Sequence, residues 1–511
     1  MQKLTHSINK AILPVNFKAV ISHIIEKFPA EIELVVALGH KKDTIVDYLT
    51  LAHPNRKFTF VEINNIAEPR TNNGCALLQC RPNLQCPFIF CTTDTFVLEE
   101  VPAPEYNWLG VGPEESSELF STVKIRDKRI YQIDNETKDN NEFGFIGLAG
   151  IKDYEKFFEG LSKSIEDTKG AIHIFNGLRH LIEYDLSPIA FTWHNTHTLE
   201  AYTKTNKLFS GENKFNFSKG SGDEFLYFVG NKVIKFFADK TITENRHERA
   251  QKYLNDLCPK IDPRKGNFYS YNKIEGQVFY DVLDRQMVID FLEWARTHLW
   301  KQINLTEEAR REYAEACEEF YVNKTKKRIQ KFYDKTGITD TTTFINGISV
   351  PPLYELFKKI NWLHVKDGTP SNFHGDLQFD NILFIKDAVD KKNKFLLLDW
   401  RQDFAGLVSH GDMYYDLAKL YGGTLVSYKL IKEAMFSFDM SDNIVHYNYF
   451  IKNDLNEARE EFEYFLKKHD FDIKKVKIIT ALIFLNMSPL HEEPFDKLLY
   501  FMGRSMLSRL I

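Results

Sequence analysis

The stretch from Ser371 to Phe404, SNFHGDLQFDNILFIKDAVDKKNKFLLLDWRQDF, constrains the chain most. Two apolar segments, Ile382-Leu383-Phe384-Ile385 and Phe395-Leu396-Leu397-Leu398, flank a polar turn and read as a β-hairpin. Ahead of the first segment stand His374-Gly375-Asp376 and, after four more residues, Asn381. Asp399 follows the second. A hairpin holds Asn381 and Asp399 near each other across its open end. Transfer of a phosphoryl group from ATP needs a carboxylate that orients and deprotonates an acceptor hydroxyl, and oxygen ligands for the Mg²⁺ that bridges the phosphates. Asp376 has the spacing of the first group, and Asn381 and Asp399 that of the metal ligands.

The H-x-D-x-x-x-x-N spacing is the one found in kinase catalytic loops. HGDLQFDNIL, LLLDW and the later GDMYYDLAKL (Gly411 to Leu420) resemble the aminoglycoside phosphotransferase and choline kinase superfamily, over roughly the last 300 residues of the chain and in the expected order. The resemblance implies a two-lobed, protein-kinase-like α+β domain. It also implies ATP and Mg²⁺ as cofactors, and a small molecule, a sugar or an amino alcohol, as acceptor. His374 is expected to buttress the catalytic loop rather than to transfer protons.

Upstream, Phe217 is followed by Ser218-Lys219-Gly220-Ser221-Gly222-Asp223 and the strand-like run Glu224 to Val229. A short loop between strands can fold its backbone N–H groups over ATP phosphates, and glycine permits the close approach. Lys232 to Phe237 reads as the next strand, with Lys235 between apolar residues. A buried lysine needs a counter-charge, and in kinases this lysine bridges the α- and β-phosphates and a helix glutamate. The helical stretch Thr243 to Leu254 offers Glu244 and Glu248. Glu248 is preferred, because Glu244 in the first turn can serve the helix dipole. The nucleotide-binding expectation is therefore Ser218, Lys219, Gly220, Ser221, Gly222, Lys235 and Glu248. Phe268 to Gly276 resembles the strand and hinge that receive adenine.

Residues 1 to about 205 alternate apolar runs with helical patterns: Ala19–Phe28 helical, Ile32–Leu38 a strand, Thr44–Leu51 helical, Phe58–Ile63 and Phe88–Cys91 strands. Such alternation implies α/β architecture with a largely parallel sheet, whose ligands sit at the carboxyl ends of the strands. Asp94 occupies such a place. Asn9 to Val15 (NKAILPV), Thr93-Asp94-Thr95, and Trp193 to His197 (WHNTH) with Tyr202 following resemble segments of the sugar nucleotidyltransferase family. The resemblance implies a three-layer, Rossmann-like domain with Asp94 as a magnesium ligand. Two departures weigh against nucleotidyl transfer. The sequence begins downstream of that family's glycine-rich loop, and Asn195 stands where the family has its second magnesium aspartate. An amide ligates Mg²⁺ without bringing charge.

The expected division is a nucleotidyltransferase-like domain over 1–206 and a phosphotransferase domain over 207–511. The latter has a small lobe at about 215–275 and a large lobe at about 276–511. The charged helical stretch Leu305–Tyr333 is expected as a solvated helix. The fusion suggests surface-polysaccharide or nucleotide-activated precursor synthesis. The alternatives are a bifunctional kinase and nucleotidyltransferase, or a first domain that binds without catalysis.

Composition excludes other classes. A formal net charge of −5 over 511 residues gives no basic field for a nucleic-acid partner. Met1 to Lys10 is polar and does not read as a signal peptide, and no apolar run approaches the ~20 residues that span a bilayer. The expectation is a cytoplasmic protein without membrane insertion. Four of the six cysteines (Cys75, Cys80, Cys86, Cys91) lie close together, but at C-x4-C-x5-C-x4-C rather than at the tighter spacing of structural zinc sites, and read as buried reduced thiols.

Overall fold

Leu34–Leu38 and Phe58–Glu62 form a parallel pair, Leu34 opposite Phe58 and Leu38 opposite Glu62. Parallel neighbours need a crossover. Lys42–Ala52 supplies it as a helix whose Ile45, Tyr48, Leu49, Leu51 and Ala52 are buried. In the computed structural model, residues 2–64, 73–113, 121–134, 143–167, 173–210 and 222–511 are described. They fall into two units. Among these residues the first unit takes those up to 210, 222–238 and Lys265–Phe268, and the second takes Asp239–Arg264 and Tyr269–Ile511.

The core of the first unit joins Ile8, Ile12, Leu13, Val15 and Val20 to Tyr48, Leu49, Tyr227, Ile234 and Phe236. The last three come from a hairpin, Glu224–Val229 with Lys232–Phe237, that pairs Glu224 with Phe237 and Val229 with Lys232. Gly230, at φ +54°, supports its two-residue turn. Tyr227 Oη donates to Ile12 O at 2.9 Å. The hairpin belongs to a three-stranded sheet whose third strand is Phe268–Asn272, and such a small sheet needs an apolar face to cover it. The hairpin, placed by sequence in the small lobe, finds its apolar cover in the N-terminal unit.

A second sheet in the same unit runs in the order Ser187–Ala190, Trp108–Pro113, Phe143–Ile151, Thr122–Arg126, Arg129–Asp134, with Phe88–Cys91 also on Phe143–Ile151. Only its pairing of Ser187–Ala190 with Trp108–Pro113 is parallel among the described strands. The expectation of a largely parallel sheet is therefore corrected. Thr122–Arg126 and Arg129–Asp134 are joined by Asp127 and Lys128, both at positive φ (49° and 63°), a two-residue turn that permits only antiparallel neighbours. Helices Tyr154–Asp167 and Ile174–Leu181 precede Ser187–Ala190 and give it the length needed to return parallel.

The second unit is mostly helical. Ile473–Met487 is buried along nearly its whole length and packs with Met413–Gly423 and Phe495–Leu510. The Ser371–Phe404 stretch folds as read: Ile382–Phe384 pairs antiparallel with Phe395–Leu397, Ile382 facing Leu397. Phe395 anchors the hairpin among Phe279, Phe291 and Trp294, with ring centroids 5.6, 5.2 and 5.6 Å away. The 305–333 stretch is not one solvated helix. Glu307–Cys317 passes into a π-helical turn, Glu318–Asn323, and then into Lys324–Thr336. Phe320, Tyr321 and Val322 are buried there. The aromatic and apolar residues behind the charges override the polar pattern. No helix among the described residues is long and apolar enough to cross a membrane. Cys86 is exposed, contrary to its reading as a buried thiol, because it lies in the connection ahead of Phe88–Cys91.

Gly147 fixes a kink in the strand Phe143–Ile151. It sits at φ +81°, where the register against Trp108–Pro113 shifts, and its carbonyl accepts Thr92 N–H at 2.8 Å. A Cβ there would lie 2.3 Å from Thr92 Oγ1 and 2.9 Å from Thr95 Oγ1. Gly147→Ala is expected to destabilise the first unit by about 2 kcal/mol or more, from left-handed strain plus the clash. Urea unfolding of the two proteins measures this directly.

Candidate functional site

In the second unit the segment His374–Asp376 is held by its backbone. Asp416, fully buried on the Met413–Gly423 helix, accepts His374 N–H at 2.6 Å on Oδ2 and Gly375 N–H at 2.7 Å on Oδ1. Trp300 Nε1 donates to its Oδ2 at 3.2 Å. Burial pushes the Asp416 carboxyl up to about 6, against the pull of those donors. His374 is also fully buried. Its Nε2 donates to Leu398 O at 2.8 Å and its Nδ1 accepts Asp376 N–H at 3.2 Å. Burial lowers its pKa to about 4, so the ring is neutral and ties the segment around Asp376 to the end of the hairpin.

Asp376 projects from this frame. Lys419 Nζ stands 2.8 Å from its Oδ1, and Gln378 Nε2 donates to the same oxygen at 3.0 Å. Burial raises the Asp376 pKa, but the charge and hydrogen bond of Lys419, with Gln378, outweigh it and bring the carboxyl down to about 2. Lys419 moves the opposite way: burial would lower it, and Asp376 holds it above the ordinary lysine value. Asn381 Nδ2 donates to Asp376 O at 2.9 Å, which fixes the orientation of its amide. Leu398 N–H donates to Asn381 O at 2.8 Å, so Asn381 and the residue before Asp399 are bonded across the open end of the hairpin. Asp399 takes φ +56°, a left-handed conformation that strains a residue with a Cβ and often marks a functional position.

Asp399 is ion-paired with Arg246. That arginine comes from the helix Lys240–Lys252, capped by Asp239, whose Oδ1 accepts Thr241 N–H at 2.9 Å. Thr243, Arg246, Arg249 and Ala250 form its buried face. Arg249 lies 4.1 Å above the Phe373 ring and donates to the carbonyls of Phe373 and Arg401. The spacing that buries these arginines turns the glutamates outward. Glu244 pairs with Arg264 at 3.0 Å and Glu248 with Lys252 at 2.9 Å. Glu248, expected as a counter-charge in the site, is therefore a surface ion-pair partner, and the inward positions belong to Arg246 and Arg249.

The other nucleotide-binding expectations are Ser218 to Gly222 and Lys235. Ser218, Lys219, Gly220 and Ser221 lie outside the described residues, and Gly222 has φ +71°. Lys235 is buried on the strand Lys232–Phe237 of the first unit, opposite Leu226.

Mg²⁺ can be tested against the donors present. Among the described residues no three His, Cys, Asp or Glu side chains gather as a ready-made metal site. An ion here would depend on the Asn381 amide oxygen, the Asp399 carboxylate and phosphate oxygens. That donor set suits a hard cation that keeps several waters and binds through one or two protein oxygens. The residues fit, on condition that Arg246 yields or shares Asp399.

The first unit gathers a separate cluster. Asp94 Oδ2 lies 2.8 Å from Lys10 Nζ and 2.9 Å from His197 Nδ1. Burial works to raise Asp94, and His197 and Lys10 pull it well below the usual carboxylate range. Trp193–Asn195 pairs antiparallel with Thr95–Val97, Asn195 opposite Thr95, which brings Asn195 beside Asp94. Asn195 Oδ1 accepts His197 N–H at 2.6 Å.

No protein-family profile matches the chain. Among curated proteins it is similar to the Bifunctional protein GlmU of Methanococcus vannielii, 26% identical over 191 residues, which are 35% of this chain and 44% of that one. It is likewise similar to the Bifunctional protein GlmU of Methanocaldococcus jannaschii, 26% identical over 187 residues, 36% of this chain and 44% of that one. The chain spans less than half the length of these relatives. Among solved structures, a putative glucose-1-phosphate thymidylyltransferase from Bacillus anthracis matches 43% of this chain and 93% of its own, at 16% identity and a TM-score of 0.36. CTP:phosphocholine cytidylyltransferase from Streptococcus pneumoniae matches 40% of this chain and 91% of its own, at 16% identity and a TM-score of 0.33. The likeness to the curated relatives thus covers 35–36% of this chain.

Sequence reasoning missed Lys419, Arg246, Arg249 and Asp416. A signal existed for two of them. Asp412, Asp416 and Lys419 recur at helical spacing in GDMYYDLAKL and so share one face. Asp416→Asn keeps the shape but sets an amide N–H against a backbone or indole donor. It is expected to lower stability by about 1–3 kcal/mol, the cost of an unsatisfied buried donor. A folded pKa above the unfolded value contributes stability below the unfolded pKa, about 4, and loses it as pH rises through about 6. The gap between wild type and Asp416→Asn should therefore be widest near pH 4 and narrow above pH 6, as read by urea unfolding across that range.

Proposed function

We propose that the second unit is an ATP- and Mg²⁺-dependent phosphotransferase acting on a hydroxyl of a small molecule. The observation that carries this reading is the convergence of Asp376, Asn381 and Asp399 on one rigid frame. The hairpin, His374 and Asp416 join their backbones. In the reaction the acceptor oxygen forms a bond to the γ-phosphorus, the bond from that phosphorus to the bridging oxygen of ADP breaks, and the hydroxyl proton passes to Asp376.

A carboxyl held near 2 is a weak base. It suits a loose transition state, in which the attacking oxygen keeps its proton until late. Asp376 then serves first to orient the hydroxyl. Lys419, at 2.8 Å, is placed to offset charge on the transferring group. When bound, Mg²⁺ would neutralise phosphate charge at Asn381 and Asp399.

One pair of substitutions separates the roles. Asp376→Asn is expected to lower kcat by several orders of magnitude while Mg·ATP binding changes little. Asp399→Ala is expected to remove Mg-dependent nucleotide binding, because Asn381 alone brings no charge to the ion. Calorimetry with Mg·ATP and turnover on a panel of sugars and amino alcohols read both. Near wild-type turnover in Asp376→Asn would discard the role of Asp376, and unchanged Mg·ATP affinity in Asp399→Ala that of Asp399.

A second reading concerns the first unit, and the Asp94 cluster favours it: a nucleotide- or sugar-binding domain without nucleotidyl turnover. Asp94 is engaged by Lys10 and His197, and its neighbour Asn195 adds no charge for a metal. Displacing pyrophosphate builds charge that a metal held by two carboxylates would offset. The expected result is no pyrophosphate release from any of the four NTPs with sugar or amino-alcohol phosphates. Robust release that is lost in Asp94→Ala would make the protein bifunctional.

A further inference from the structure

Near Asp376, whose charge acts on Lys324, the second unit collects several cations. Lys324 and Arg328 are one turn apart on the helix Lys324–Thr336 and so share a face. Lys324 Nζ lies 3.7 Å from the centre of the Phe320 ring and 5.8 Å from that of Tyr415. The Arg401 guanidinium lies 5.1 Å from the same Phe320 ring. Arg401 is tied to the catalytic loop. Its N–H donates to His374 O at 3.0 Å, and its stem packs against Gly375. Phe320 belongs to the π-helical turn Glu318–Asn323, a distortion frequent at functional sites. The turn sets the ring edge-on to Tyr415 at 4.7 Å and stacked on Phe404 at 4.3 Å.

Among the described residues, Lys324, Arg328 and Arg401 have no carboxylate at ion-pair distance. Burial, then Arg401, Arg328 and Lys419, push Lys324 well below the ordinary lysine range, with Asp376 opposing. Burial and Arg401 likewise lower Arg328. Like charges gathered in a partly buried place are costly unless an anion joins them. Aromatic faces hold such cations in place without neutralising them. A site for choline or an aminoglycoside would need the opposite sign.

We infer that Lys324, Arg328 and Arg401 form the acceptor subsite of the phosphotransferase, and that the acceptor carries an anionic oxyacid group, phosphate or carboxylate, besides the hydroxyl it presents to Asp376. The inference rests on the phosphotransferase reading above and narrows its substrate class. Lys419 stays with Asp376 and the transferring group. The three remaining cations take the acceptor's charge.

Isothermal titration of the full chain tests it, with Mg·ATP, a hexose 6-phosphate, a hexuronate, the neutral hexose and choline as separate ligands. Wild type, Lys324→Met and Arg328→Met are compared. The wild type is expected to bind an anionic ligand and to give no heat with the neutral hexose or choline. Each substitution should weaken anion binding tenfold or more and leave Mg·ATP binding unchanged, which also shows that the variants are folded. Preference for the hexose 6-phosphate assigns phosphate, and preference for the hexuronate assigns carboxylate. The inference is overturned if the wild type binds neither anion, if it prefers choline or the neutral hexose, or if anion binding survives both substitutions. Parallel loss of Mg·ATP binding would overturn it too, by giving the cations to the nucleotide. Failure of the phosphotransferase reading shows separately, as Mg·ATP binding without Asp376-dependent turnover on any acceptor.

Discussion

Asp416 is the contact on which the second unit's site depends. A carboxylate with no exposed surface is unfavourable in a protein interior unless donors surround it, and here two consecutive backbone N–H groups and an indole N–H do so. Those N–H groups belong to His374 and Gly375, so the carboxylate sets the path of the chain immediately before Asp376. Gly375, at φ +87°, can follow that path, and a Cβ on it would meet the Arg401 stem at 2.6 Å. Satisfying one buried charge thereby fixes where Asp376, the proposed catalytic carboxylate, emerges.

Arginine does a related task from the other side. Arg249 gives its donors to the carbonyls of Phe373 and Arg401, the two chain segments that carry Asp376 and Asp399. A planar fork with five donors can bridge two carbonyls while stacking on an aromatic face, which a lysine cannot do. Arg246, three residues earlier, reaches Asp399 itself. One helix thus supports the backbone with one arginine and engages a proposed metal ligand with another. Any ion at Asp399 competes with a charge the protein already provides.

The sequence made the hairpin, the position of Asp376 and the closeness of Asn381 to Asp399 legible, because all three follow from local spacing and a two-residue side-chain period. It also placed Asp94 just after the strand Phe88–Cys91, and the structure sets Asn195 beside it. It did not show which face of Lys240–Lys252 would be buried. Propensity favours exposing charge, and only tertiary packing reveals that two arginines have carbonyl and carboxylate partners inside. The sheet of the first unit misled for a similar reason. Alternation of apolar runs predicts strands, whereas direction depends on what joins them, and Asp127-Lys128 carries no strong turn signature. The mixed charge of 305–333 hid its buried aromatics, because Phe320, Tyr321 and Val322 are consecutive and fit no helical stripe until the π-helical turn brings them inward.

The pair Lys419 and Asp376 links structure to chemistry through its asymmetry. The lysine lowers the proton affinity of the carboxyl, which would be a poor arrangement for a base that must remove a proton early. In a loose phosphoryl transfer the nucleophile's proton becomes acidic only as its bond to phosphorus forms, so an ionised, firmly oriented carboxylate suits the task better than a strongly basic one. The same ammonium, a compact point charge on a flexible stem, can turn toward a phosphoryl oxygen without leaving Asp376 far behind. An arginine at position 419 would tend to lock the carboxylate in a bidentate pair and withhold it from an acceptor hydroxyl. On the proposed phosphotransferase reading, lysine at this position and arginine beneath the backbone at 249 suit the different demands of a group that must move and one that must not.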